Sequence, residues 1–73
     1  MNKEEIKSVI DKNIGKKVSI NYSENVAMIG WYRKINDNEF EFRGIIQNHE
    51  TKDEKNVKKE KFNIDAITHI RPI

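Results

Sequence analysis

Apolar and polar positions follow two rhythms along this chain, and the change of rhythm divides it. Ile6, Val9, Ile10 and Ile14 recur at three- and four-residue spacing, which draws the single apolar stripe of a helix. Asn2 stands where a cap belongs, with Glu5 three residues later in the capping-box position. Glu4 and Glu5 suit the positive end of the helix dipole, and Lys12, Lys16 and Lys17 the negative end. Gly15 reads as the stop. From Val18 the period becomes two. Val18, Ile20 and Tyr22 alternate with Ser19, Asn21 and Ser23, the pattern of a half-buried strand. Ser23-Glu24-Asn25 is a turn. Val26 to Ile35 forms a second strand that is apolar on both parities. Met28 and Tyr32 lie on one side, and Ile29, Trp31 and Ile35 on the other. Gly30 in its middle favours a bend.

Asn36-Asp37-Asn38 is a second turn. Glu39 to Arg43 alternates cleanly as a third strand, with Phe40 and Phe42 inward, and Gly44 allows a bend before Ile45 and Ile46. Asn48 to Asn56 is polar without periodicity, a loop or a solvated hairpin tip. Val57 to Ile64 resumes as a strand carrying Lys58, Lys59 and Lys61, with Phe62 and Ile64 as core candidates. Asp65-Ala66 reads as a single tight helical turn, and Thr68 to Arg71 as the last strand, ended by Pro72. One helix followed by five short strands with tight turns predicts a mainly β chain, rolled into a small closed or partly closed barrel. Residues 1–73 form one domain, with the helix in 1–15 and the barrel in 17–73.

Composition narrows the picture. A domain of 73 residues has a thin stability margin, so a partner subunit or a well-packed core is expected. There is no cysteine, which removes disulfides and thiolate metal sites and fits a reducing compartment. The start of the chain runs straight into mixed charge rather than a signal peptide. No apolar run is long enough to span a membrane as a helix. A cytoplasmic protein without metal or cofactor is the expectation. Charge is abundant but nearly balanced, 14 basic against 12 acidic residues, so only a clustered arrangement would point to nucleic acid.

Candidate chemistry is correspondingly selective. The two histidines, His49 and His69, lie in the polar loop and on the last strand, without a nucleophile–base arrangement. Three isolated glycines make no phosphate loop. The expectation is a protein that is not an enzyme. Single-stranded nucleic acid needs a basic track with aromatic rings beside it. Trp31 and Arg33 share one strand face, Tyr32 and Lys34 the other, Arg43 points outward on the next strand, and Lys58 and Lys59 follow on the fourth. Against this, Trp31 and Tyr32 also suit a core or a subunit interface, and the lysines suit a solvated sheet edge.

Two motifs carry a family likeness. Gly30, Tyr32, Ile35 and Asn36 follow the spacing of the bent second strand of Sm-like proteins, with asparagine where those carry aspartate. Ala66-Ile67-Thr68-His69-Ile70-Arg71-Pro72 is similar to the last strand of the bacterial RNA chaperone family Hfq. The chain therefore resembles the Sm-like, SH3-like small barrels. Val18-Ser19-Ile20-Asn21-Tyr22, Lys34-Ile35-Asn36 and Asp65-Ala66-Ile67-Thr68-His69-Ile70 also resemble, in order, the YolD-like proteins of Firmicutes, which are associated with phage-like elements. Phe62-Asn63-Ile64-Asp65-Ala66-Ile67 looks like a stretch of WYL domains, without its two arginines. The Hfq likeness implies RNA binding through a tyrosine-lysine-histidine run before the alanine. Asn63-Ile64-Asp65 stands there instead, so those basic contacts are not carried over.

The resulting expectation is an N-terminal α-helix followed by a five-stranded, strongly bent antiparallel Sm-like barrel of bacterial or phage origin. Its function would be regulatory binding of RNA or DNA through Trp31, Tyr32, Arg33, Lys34, Arg43, Lys58 and Lys59. The alternative is a protein-interaction adaptor or an inhibitor of a host protein. Like Sm-like barrels, it would assemble with further copies of itself.

Overall fold

A computed structural model describes all residues, 1–73. Helix α1 spans Lys3–Lys12. The capping box is closed in both directions: Asn2 Oδ1 accepts from the Glu5 N–H at 2.9 Å, and the Asn2 N–H donates to Glu5 Oε1 at 3.3 Å. Ile6 and Ile10 are buried, and Val9 packs beside them. Asn13 ends the helix, its Nδ2 donating to the Val9 carbonyl at 2.8 Å. The stripe therefore stops short of Ile14, which is exposed.

Five strands follow: β1 (Val18–Tyr22), β2 (Val26–Lys34), β3 (Glu39–Asn48), β4 (Glu54–Asn63) and β5 (Ile67–Pro72). A 3-10 turn over Ile64–Ala66 joins the last two, held by Asn63 Oδ1 accepting from the Asp65 N–H at 2.9 Å. All pairs are antiparallel, in the order β4-β3-β2-β1-β5. The inner face carries Val18, Ile20, Met28, Tyr32, Phe40, Phe42 and Ile46, completed by Ile64, Ile67 and Ile70 and covered by Ile6 and Ile10. Phe62 joins this core from β4, stacked on Phe40 at 5.7 Å and edge-on to Tyr22 at 5.2 Å.

The expected closed barrel is corrected to an open sheet. β4 and β5 occupy opposite ends of the strand order, and no ladder joins them. The sheet curls far enough for a three-residue turn to connect its two edges, yet it does not close. The reason lies in β4, which has no fully buried residue and carries charge on both parities at Lys58, Lys59, Glu60 and Lys61. Without a continuous apolar face it has little to drive it onto β5. Lysines along the edge, and a glutamate at Glu60 opposite inward-facing Phe42, instead keep an open edge from pairing with other chains.

The backbones of β2 and β3 come close where Gly30 on β2 faces Gly44 on β3. A Cβ on Gly30 would lie 2.1 Å from the Arg43 carbonyl oxygen, and one on Gly44 would lie 2.3 Å from that of Ile29. Gly44 also has φ +150°, a conformation that side chains resist. Gly30→Ala and Gly44→Ala should each lower the free energy of unfolding by about 3 kcal/mol, measured by urea denaturation, because backbone atoms cannot yield as side chains do.

Tyr32 ties the sheet to the helix: its hydroxyl donates to the Ile10 carbonyl at 2.5 Å. Burial, and secondarily the negative charge of Asp11, push its pKa up to about 12. A raised value in the folded state favours folding below the ordinary value of about 10, and that contribution is lost as pH rises from there towards 12. Tyr32→Phe should cost about 1 kcal/mol at neutral pH. It should also lose stability less steeply than the wild type between those two values in parallel melts.

Candidate nucleic-acid interface

The outer face of the sheet is built by the residues that alternate with the core. In the β2–β3 ladder, Ile29 faces Ile45, Trp31 faces Arg43 and Arg33 faces Glu41. Trp31 is 37% exposed. The Arg43 guanidinium carbon lies 4.9 Å from the centroid of its ring, and Lys17 Nζ lies 5.6 Å away. Two cations thus lie within reach of the indole ring, whose quadrupole attracts them. Ile29 and Ile45, each 44% exposed, extend this surface as an apolar step.

β4 adds two lysines through a register shift. Phe42 pairs with Glu60 and Gly44 with Val57, so Lys58 and Lys59 together stand opposite Arg43 alone. Adjacent strand residues normally point to opposite faces. At a bulge the extra residue breaks that alternation. Both lysines consequently line one shallow depression of about 430 Å³ with Trp31, Arg33, Glu41 and Arg43.

Glu41 is the anionic centre of this cationic face. Its side chain is only 16% exposed. Oε1 accepts from Arg33 Nε at 3.1 Å and from Arg33 Nη2, while Lys59 Nζ lies 3.5 Å from Oε2. The hydrogen bonds from Arg33 hold its carboxyl below the usual carboxylate range.

Of the residues singled out in the sequence, Trp31, Arg33, Arg43, Lys58 and Lys59 come together here as exposed or part-exposed side chains. Tyr32 borders the depression but is 6% exposed and belongs to the core. Lys34 is not brought here. Lys34 lies on the helix side, with Nζ 3.1 Å from Asp11 and 3.5 Å from Asp37. The hydrogen bond to Asp11 raises its pKa. Sequence reasoning missed Lys17, Glu41 and the Ile29–Ile45 pair as parts of this surface. Glu41 was detectable, because it shares the outward parity of Arg43. Lys17 follows the helix, where its charge equally suits the end of the helix dipole, so the sequence carries no signal of its place beside Trp31.

Asp65 is paired with Lys3 at 3.0 Å. No three or more histidine or acidic side chains gather as metal ligands would. No helix is long and apolar enough to cross a membrane. The fold and this face define a small open-sheet β protein with an aromatic–cationic surface. No family model matches the chain, and no curated protein or solved structure matches it. With the sheet open, the assignment to the Sm-like superfamily, whether through YolD-like proteins or Hfq, is overturned.

Trp31 is the only tryptophan, so tryptophan emission, excited at a wavelength where Tyr22 and Tyr32 do not absorb, reports on this face alone. Arg43→Ala should change its emission wavelength and its iodide quenching, while altering stability by less than about 1 kcal/mol, the scale of an exposed cation–π contact.

Proposed function

We propose that this protein is a non-catalytic, regulatory binder of single-stranded nucleic acid, and that the ligand crosses the outer face of β2, β3 and β4. The observation that supports this best is the part-exposed indole of Trp31 set against Arg43, with Lys58 and Lys59 brought to the same side by the bulge. Such a face offers base stacking together with phosphate neutralisation, the two requirements for binding a single strand. Arg43, Lys58 and Lys17 have no carboxylate partner within salt-bridge distance among the ion pairs formed. They are the cations most available to phosphates. With about three such contacts, log K should fall with log salt at a slope of about −2 for a single strand.

A second reading, a protein-interaction adaptor, is favoured by the exposed Ile29–Ile45 pair beside Trp31. Titration of Trp31 fluorescence with short oligothymidylate and oligouridylate at low salt separates the two and distinguishes DNA from RNA. Binding should be salt-sensitive, and Lys58→Glu combined with Arg43→Glu should abolish it. Absence of binding by either oligonucleotide at low salt would discard the nucleic-acid reading in favour of the adaptor.

A further inference from the structure

The outer face of β3 changes character along its length: Glu39, Glu41, Arg43, Ile45. Its acidic end is already neutralised from within. Glu39 has Lys61 Nζ at 4.0 Å, and Glu41 holds Arg33 through two nitrogens and Lys59 through its other oxygen. Its basic end is not: Arg43 lies over the Trp31 ring, and Lys58 forms none of the ion pairs. Trp31 and four cations, Arg33, Arg43, Lys58 and Lys59, therefore share one depression, but two of the cations are engaged by a carboxylate placed where a phosphate would sit.

We infer that Glu41 is a built-in competitor for phosphate, occupying Arg33 and Lys59 so that the ligand is confined to the Arg43–Lys58 end of the face. The inference rests on the nucleic-acid reading and deepens it by naming what limits affinity and where the strand lies. Arg33 is 73% exposed and free to swing towards solvent. Doing so would strip Glu41 Oε1 of both its hydrogen bonds and leave Lys59 as its remaining partner, and losing hydrogen bonds to a charged group is costly. A phosphate must therefore displace Glu41 rather than simply recruit Arg33. Because the carboxyl is held below its ordinary range, this competition persists at all pH values near neutrality.

The consequence is measurable by removing the charge while keeping the acceptor. Trp31 fluorescence would be titrated with oligothymidylate and, separately, with inorganic tripolyphosphate, for the wild type, Glu41→Gln, Arg33→Gln and the double variant. Circular dichroism melts would verify folding. Glu41→Gln should bind oligothymidylate about tenfold more tightly at low salt. Its salt slope should steepen by about 1.4, the equivalent of two more phosphate contacts on a single strand. Arg33→Gln should cost more affinity in the Glu41→Gln background than in the wild type, a coupling that a merely structural glutamate would not produce.

If the wild type binds oligothymidylate and Glu41→Gln binds it no more tightly, the competitor role is wrong while the nucleic-acid reading survives. If only Glu41→Gln binds, the competitor role stands and the native protein is not a nucleic-acid binder. If no variant binds the oligonucleotide, tighter tripolyphosphate binding by Glu41→Gln still supports the competitor role, and equal or absent binding removes it. Should Glu41→Gln fail to fold, Lys59→Gln and Arg43→Gln decide the matter. The competitor role requires the Arg43 variant to lose more affinity, or, where the wild type binds nothing, to be the one that alters Trp31 quenching by tripolyphosphate. Equal effects overturn it.

Discussion

The contact on which this molecule depends is one that excludes side chains. β2 and β3 approach so closely at Gly30 and Gly44 that a Cβ on either would meet the opposite backbone well inside van der Waals distance. Because strand residues alternate, an inward-facing glycine pair fixes the roles of its neighbours. Met28, Tyr32, Phe42 and Ile46 lie on the inner side and are buried. Ile29, Trp31, Arg43 and Ile45 lie on the outer side and are exposed. The same crossing that curls the sheet around its core therefore presents the Trp31–Arg43 pair to solvent. The β4 bulge is adjacent to Gly44, so the second source of cations on that face is a product of the same distortion.

Much of this was legible in the residues. The capping box at Asn2 and Glu5, the apolar spacing of Ile6 and Ile10, and the period-two runs of β1 and β3 are local signals, and local signals decide local structure. The closing stretch was equally plain, since Ile64, Ile67 and Ile70 are buried as their spacing implied. Closure of the barrel was not legible, because it depends on whether two edges pair after the rest of the sheet has formed. The charges of β4 count against such pairing, but the same lysines are compatible with an edge in a closed or an open sheet. The loop between β3 and β4 is shorter than its polar stretch implies, for a related reason. Glu54 to Asn56 are polar, and only the partner strand makes them part of the ladder.

The candidate surface was half legible. Parity alone places Trp31, Arg33 and Arg43 together and sets Tyr32 and Lys34 apart. Parity also implies that Lys58 and Lys59 diverge, and here the rule fails. A bulge is a property of two strands in register, and neither sequence contains it alone. The partnership of Arg33 with Glu41 likewise requires the cross-strand register, which a one-residue slip would destroy.

Two readings of the β4 lysines, a solvated edge and a phosphate track, are reconciled by the bulge. Lys61 stands opposite Glu41 in the ladder and reaches diagonally to Glu39 at 4.0 Å, and Lys55 lies 3.5 Å from Glu60 on the same strand. These ion pairs lie along an edge that must remain unpaired. They are exposed ion pairs and contribute little to stability, so keeping that edge soluble is the role left to them. Lys58 and Lys59 lie between Lys55 and Glu60, at the one place where the strand's alternation breaks. Lys59 is drawn to Glu41 and Lys58 remains free. The edge function thus belongs to the regular parts of β4, and the surface function to its irregular part. A regular strand with the same composition would keep the edge protected but would send one of the two lysines away from Trp31.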